Sequence, residues 1–215
     1  VVACSSDVST QEFSETYTVA AGTVLVVDND NGKVTVETDD SASATGTVSV
    51  EATIYRPDNV DFTVVEANDE LKIVADADSG IFIGTSPRAD VTVRVPPGMP
   101  VTIDTGNGDV EVTGIGATAD VDTGNGSVTL TSVQGDVKAA TGNGSITVKD
   151  SAGSFRLTSG NGSISLQAEL QKGGTNSATT GNGGITVELS GDRDVSVDAE
   201  TDNGKIDSDW TLTTT

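Results

Sequence analysis

The stretch that decides the fold is Thr123-Gly124-Asn125-Gly126-Ser127-Val128-Thr129-Leu130, and it recurs as Thr141-Gly142-Asn143-Gly144-Ser145-Ile146-Thr147-Val148. Two further close copies span residues 105–112 and 159–166. The central asparagines of these four copies are 18 residues apart, and two looser copies follow at steps of 21. An isolated early copy lies near the N-terminus. A repeat of such constant length indicates stacked structural units. The asparagines of all copies, predicted to lie in turns, are Asn31, Asn107, Asn125, Asn143, Asn161, Asn182 and Asn203.

Apolar and polar residues alternate on both sides of each asparagine. Val128 and Leu130 follow Asn125, and Ala119 and Val121 precede it, with polar residues in between. Period-two alternation is typical of half-buried strands. Each unit therefore holds two short strands, and stacking the units about 4.8 Å apart pairs every backbone group with the next unit. The inward column on one side is then Val110, Val128, Ile146, Ile164, Ile185 and Ile206.

This pattern predicts an all-β protein, a β-solenoid whose two-strand rungs are 18–21 residues long. A meander or β-sandwich of Gly-Asn-Gly hairpins is the competing fold, because Asn-Gly between alternating strands favours hairpins. The constant unit length favours stacking. We interpret the Gly-Asn-Gly turns as positions that accept positive φ. The longer steps imply extra turn residues near 171–174 and 190–193, and the handedness stays open.

Residues 38–100 break the rhythm and are predicted to form longer strands that cap the N-terminal end of the solenoid, since an open end exposes unpaired backbone. A surface loop is expected over residues 76–88. We predict one solenoid domain at 13–215, with the cap at 38–100 and regular repeats at 101–210. Residues 1–12 would be a signal remnant and tether. The strands expected in the cap span residues 47–55, 61–66, 70–75 and 89–95.

Composition excludes several function classes. The net charge of −22 disfavours nucleic acid and anionic lipid as partners. There is no histidine, which excludes histidine-based triads and metal sites, and aromatic residues make up only 3% of the chain. The few aromatics are scattered, so a sugar-binding catalytic groove is not indicated. We therefore predict that the protein is not an enzyme and has no catalytic residues.

The single cysteine, Cys4, follows Val1-Val2-Ala3 and precedes a polar stretch. This context resembles the end of a bacterial lipoprotein signal. It predicts that Cys4 carries a lipid, that residues 5–12 form a tether, and that the protein lies on the outer face of a membrane. The mass of the mature N-terminal peptide would test this, and an intact Val1 with a free thiol would contradict it.

Calcium is the one cofactor that the sequence suggests, and only as a secondary prediction. Asp28, Asp30, Asp104 and Asp122 precede the turn asparagines, and Asp28-Asn29-Asp30-Asn31-Gly32 resembles the start of a calcium loop. The glycine comes one place early, however, and no glutamate stands at the twelfth position. Solvated acids and turn caps explain the same residues.

The segment Val95-Pro96-Pro97-Gly98-Met99-Pro100-Val101, which leads into the repeats, resembles the putative-adhesin domain of bacterial and archaeal surface proteins. That resemblance implies a β-solenoid anchored outside the cytoplasm, and it implies no catalytic residues.

We accordingly predict a non-enzymatic structural or adhesin-like module with a glycan or surface protein as partner. One alternative is a subunit that self-assembles through an open rung near residues 206–212. The others are an envelope-stress accessory domain and a polysaccharide-acting β-helix enzyme.

Overall fold

The computed structural model describes residues 9–41, 46–82, 84–190 and 195–209. Within these ranges the chain is built from strands, and its helical segments are short 3-10 turns at Pro57–Asn59 and at residues 40–41. No helix in this part of the chain is long and apolar enough to cross a membrane. The all-β prediction is confirmed.

The strands form two sheets. In spatial order, the first sheet contains β1 (Thr10–Thr18), β4 (Thr47–Tyr55), β7 (Arg88–Val95), β3 (Val34–Thr38), β9 (Val110–Thr113), β11 (Val128–Thr131), β13 (Ile146–Gly153), β15 (Ile164–Leu170), β17 (Ile185–Leu189) and β19 (Ile206–Ser208). The second sheet contains β18 (Val197–Asn203), β16 (Asn176–Asn182), β14 (Phe155–Asn161), β12 (Val137–Asn143), β10 (Ala119–Asn125), β8 (Val101–Asn107), β2 (Val24–Asn31), β6 (Glu70–Ala77) and β5 (Val60–Ala67).

Successive repeats stack in parallel and in register. Val128 pairs with Val110 on one side and with Ile146 on the other. The column continues through Ile164 and Ile185 to Ile206, as predicted. The two strands that flank each Gly-Asn-Gly turn belong to different sheets and do not pair with each other. The hairpin fold is therefore wrong, and the β-solenoid is confirmed.

The early copy around Asn31 is not isolated in space. Asn31 pairs with Asn107, and Val34 pairs with Val110, so β2 and β3 form the rung beside β8 and β9. The chain between β3 and β8 forms strands on the other side of this rung, away from β8 and β9. There β6 pairs with β2 and β7 pairs with β3, both in parallel.

The N-terminal end is closed by antiparallel strands. β4 pairs with β7, β1 pairs with β4, and β5 pairs with β6. The rings of Phe13 on β1 and Phe62 on β5 lie 4.9 Å apart between centroids and join the edges of the two sheets. Antiparallel edge strands of this kind protect the end of a solenoid, so the prediction of a capped N-terminal end is confirmed.

The boundaries near the N-terminus differ in part from expectation. β1 begins at Thr10, so residues 10–12, which the sequence assigned to the tether, pair with the end of β4. Cys4 lies outside the described residues. The loop expected at 76–88 is shorter than predicted, because β6 continues to Ala77 and β7 begins at Arg88, and Ile81 between them is fully exposed.

The core is built almost entirely from aliphatic side chains. Phe155, Leu25 and Ile146 are among its largest fully buried residues. The inward column of the first sheet keeps branched aliphatic side chains throughout, whereas columns of the second sheet vary in size, as where Ala119, Val137 and Phe155 stack. The extra residues predicted near 171–174 lie in the turn between β15 and β16. The second such turn falls partly on residues 191–194, which lie outside the described ranges.

Candidate functional surface

The turn asparagines form a continuous ladder along one edge of the solenoid. Each Nδ2 donates a hydrogen bond of 2.8–3.0 Å to Oδ1 of the asparagine in the preceding rung. The ladder runs from Asn31 to Asn203. Stacked amides of this kind are found where identical residues repeat at the strand spacing. The predicted turn residues are thus brought together, and their role is to hold successive turns in register.

From Thr123 onward, the threonine or serine two residues before each turn asparagine adds a second row of bonds. Oγ1 of Thr141 donates to the carbonyl oxygen of Gly126 at 2.8 Å, and Oγ of Ser159 donates to that of Gly144 at 2.8 Å. These hydroxyls are buried, so the bonds satisfy carbonyl groups inside the turn. Sequence reasoning missed this role, although the recurring Thr-Gly-Asn-Gly order carried the signal.

In the regular rungs the turn glycines are required for close stacking and not for positive φ, which corrects the sequence interpretation there, whereas Gly32 of the early copy does have a positive φ of 122°. Gly126, Gly144 and the ladder asparagines do not have positive φ. A Cβ on Gly144 would instead overlap the carbonyl oxygen of Gly126 in the preceding rung. The backbones of successive turns approach so closely at this position that no side chain fits between them.

Removing one ladder amide should cost a modest amount of stability. In Asn143→Ala, the bonds from Asn143 to Asn125 and from Asn161 to Asn143 are both lost. We expect the free energy of unfolding to fall by about 1 kcal/mol, because the exposed partners can bond to water instead. Urea titration measures this change.

The matched variant for the ladder is Asn203→Ala, which removes a single bond at the terminal rung. It should cost less than Asn143→Ala. An equal or larger loss at Asn203 would show that the ladder does not act as a chain of paired amides.

The acidic residues proposed as calcium candidates lie in a row and not in a cage. Asp28, Asp104 and Asp122 stand side by side on the outer face of the second sheet. Desolvation, followed by the charges of Asp122 and Asp28, raises the pKa of Asp104. Asp28 also pairs with Lys72, with 3.5 Å between Nζ and Oδ2.

Asp30, the fourth candidate, has a local partner, because its carboxylate accepts a 2.9 Å hydrogen bond from the backbone of Ala77. The described residues contain no group of three or more His, Cys, Asp or Glu side chains that could hold a metal ion. Asp28, Asp104 and Asp122 come from three neighbouring strands, whereas a calcium loop of the EF-hand type takes its ligands from one short segment of chain.

The outer face of the first sheet carries an uncharged strip that sequence reasoning did not single out. Thr129, Thr147, Ser165 and Thr186 lie opposite one another on consecutive strands. They are partly or fully exposed. Glu111 and Asp207 occupy the same column at its two ends. We call these four residues the hydroxyl strip. Adjacent strands are about 4.8 Å apart, so the strip presents hydroxyl groups at a regular interval.

No protein-family model matches the chain, and no curated protein matches it. Among solved structures, it is similar to a putative adhesin from Bacteroides fragilis, with 15% identity over 92% of this chain and 97% of that chain and a TM-score of 0.53. It is also similar to a putative cell adhesion protein from Clostridium sporogenes, with 15% identity over 92% of this chain and 99% of that chain and a TM-score of 0.50.

Identity this low speaks for the fold alone, but the coverage shows that the likeness extends over nearly the full length of both molecules. The cap and the regular rungs together, and not the repeats by themselves, make up the shared architecture. The chain therefore has the β-solenoid fold of these putative bacterial adhesins, in agreement with the family that its Gly-Asn-Gly repeats resemble.

Proposed function

We propose that the protein is a non-enzymatic, extracytoplasmic attachment module, and that it binds neutral glycans through the hydroxyl strip. The observation that carries this proposal is the strip itself, an uncharged row of hydroxyls on a flat sheet in a chain of net charge −22. Sugar hydroxyls can exchange hydrogen bonds with such a row without desolvating a charge. The acidic remainder of the surface disfavours anionic ligands.

Repetition compensates for the weakness of each contact. A hydroxyl-to-hydroxyl bond contributes roughly 1 kcal/mol, so a single contact cannot hold a ligand. A polymer that engages several rungs at once, or several copies of the protein on one surface, converts weak contacts into firm attachment. Both the fold and the names of the similar structures fit an attachment role of this kind.

We also propose that a lipid on Cys4 holds the module at the membrane. The support is the Val1-Val2-Ala3-Cys4 context, and β1 begins only at Thr10. The intervening residues are polar apart from Val8 and suit a tether between the lipid and the solenoid.

The attachment proposal is tested by placing charge in the strip. Thr147→Glu combined with Ser165→Glu inserts two carboxylates into the row. We expect the retention of beads that display this variant on immobilised neutral polysaccharide, such as mannan or dextran, to fall at least about tenfold. Weak multivalent contacts are lost together. Retention is measured under flow against beads that display the unmodified protein.

The matched control is Thr158→Glu with Thr179→Glu. It replaces two threonines that are neighbours on the outer face of the other sheet. This variant has the same net charge and should keep its retention. Equal loss in both variants, or no retention of the unmodified protein, would contradict the role of the strip. Release of sugar fragments would contradict the non-enzymatic assignment.

A further inference from the structure

The two ends of the solenoid differ. At one end β5, β4 and β1 cover the rungs with antiparallel strands. At the other end, among the described residues, β18 pairs only with β16 and β19 pairs only with β17. The C-terminal rung therefore presents strand edges, which are templates for pairing with another chain.

The edge of β18 offers backbone groups in a defined pattern. In the inner rungs of the second sheet, the first inward-facing residue donates its N–H to the following rung: Val101 to Thr118, Ala119 to Asp136 and Val137 to Ser154, at 3.0, 3.0 and 2.8 Å between N and O. In a parallel sheet, alternate residues direct their N–H and C=O to the same neighbour. The equivalent residues of β18, which face the open side, are Val197, Ala199 and Thr201.

The inward side chains of this rung are incompletely covered. Ala199 and Ile206 are only partly buried, whereas their neighbours in the same columns, Ala178 and Ile185, are 0% exposed. An additional strand on β18 would cover Val197 and Ala199 as the inner rungs cover each other. Burial of this apolar surface favours an apolar residue at every second position of the added strand.

The outward side chains specify the charge of that strand. Asp198, Glu200 and Asp202 face outward on β18, and the residues beside them on β16 are Ser177, Thr179 and Gly181, none of which is charged. At two other places in the solenoid, an acid is matched by a cation on the adjacent strand. Lys138 lies 2.9 Å from Asp120, and Arg94 lies 2.8 Å from Glu37.

Pairing of two copies of this chain through their β18 edges is disfavoured. Pairing of two β18 edges would bring Asp198, Glu200 and Asp202 of one molecule beside the same acids of the other. Like charges opposite each other across strands are destabilising. The acids thus discourage β18-to-β18 pairing while leaving the backbone groups of this edge available.

We propose that the open edge of β18 binds an extended segment of another protein in which apolar residues alternate with lysine or arginine. The segment adds a strand to the second sheet, its apolar side chains cover Val197 and Ala199, and its cations lie beside Asp198 and Glu200. Backbone hydrogen bonds supply affinity and the alternation supplies specificity, as in other cases of strand addition. This inference does not depend on the hydroxyl strip.

The probe is a short synthetic peptide that alternates valine and lysine, compared with a control peptide of the same composition in which the valines and lysines form two blocks. Amide hydrogen exchange of the unmodified protein is followed residue by residue. We expect the alternating peptide to slow exchange at Val197, Ala199 and Thr201. The backbone N–H groups of Asp198 and Glu200 already point toward β16, so their rate of exchange should not change. The block peptide should protect none of these five amides.

Charge reversal gives an independent test. We expect Asp198→Lys with Glu200→Lys to weaken binding of the alternating peptide by roughly tenfold, because two attractive cross-strand pairs become repulsive. Asp104→Lys with Asp122→Lys changes net charge by the same amount at a distance from the edge, and should change the affinity by no more than about threefold.

Three results would overturn the proposal: no protection with the alternating peptide, equal weakening in the two double variants, or equal protection by the block peptide, which would mean charge attraction alone. Protection of Val197, Ala199 and Thr201 that rises with protein concentration in the absence of peptide would assign the edge to a second copy and would also contradict the charge argument. The exchange pattern is measured on the unmodified protein, so the test stands even if a variant does not fold.

Discussion

Gly144→Ala is expected to destabilise the solenoid by about 3 kcal/mol or more. The added methyl group would overlap the carbonyl oxygen of Gly126 in the rung below. This atom belongs to the backbone and cannot rotate away, so two rungs would have to separate locally. Separation would weaken the Asn125–Asn143 amide bond, which is 2.8 Å long. The midpoint of urea or thermal unfolding measures the effect.

Gly116→Ala is the matched substitution. Gly116 has no positive φ, and a Cβ there would meet its nearest neighbour, the backbone nitrogen of Gly98, at an ordinary 3.5 Å. This change should be neutral or stabilising by up to about 1 kcal/mol, since alanine reduces the freedom of the unfolded chain. If Gly144→Ala proves as mild as Gly116→Ala, close approach of the turn backbones does not explain the glycine repeat.

Ile146→Asp is expected to cost on the order of 5 kcal/mol, enough to unfold the regular rungs. Ile146 is 0% exposed and stacks between Val128 and Ile164 in the inward column. An ionised carboxylate at this position would have no cation and no water. Loss of the strand-rich circular dichroism signal and of cooperative unfolding measures the effect. The deficit should shrink as the pH is lowered, because a protonated carboxyl is less costly to bury.

Thr147→Asp places the same carboxylate one residue further along β13, on the outer face. Its side chain points to solvent, so we expect a loss below about 1 kcal/mol. A large loss at Thr147 together with a small one at Ile146 would reverse the assigned inward and outward faces, and with them the register of the whole column.

The sequence predicted the repeated part of the fold in detail because each unit is a template for the next. With a spacing of 18 or 21 residues, equivalent side chains must stack if the units stack at all, so the inward column from Val110 to Ile206 followed directly. Several strands of the cap were also predicted. The stretch 47–55 is β4, and residues 89–95 fall within β7.

What the sequence determined by itself is therefore the period, the inward and outward faces, and the row of turn asparagines. Tertiary structure alone decided where the single-copy segments go. β2 and β3 stack beside β8 and β9 although Asn31 and Asn107 are 76 residues apart, and β4 pairs with β7 in the antiparallel direction. No repeated sequence spacing predicts such pairings, because they depend on which strand edge is still unpaired when the chain comes back to the sheet.

The surface shows the same division. Alternation identified the outward threonines, but only the register placed Thr129, Thr147, Ser165 and Thr186 in one uncharged row. Asp28, Asp104 and Asp122 were recognisable as acids before turns, whereas only the flat sheet showed that they form a line and not a cage. Local sequence fixes which face a side chain takes, and the non-local backbone pairing decides its neighbours on that face.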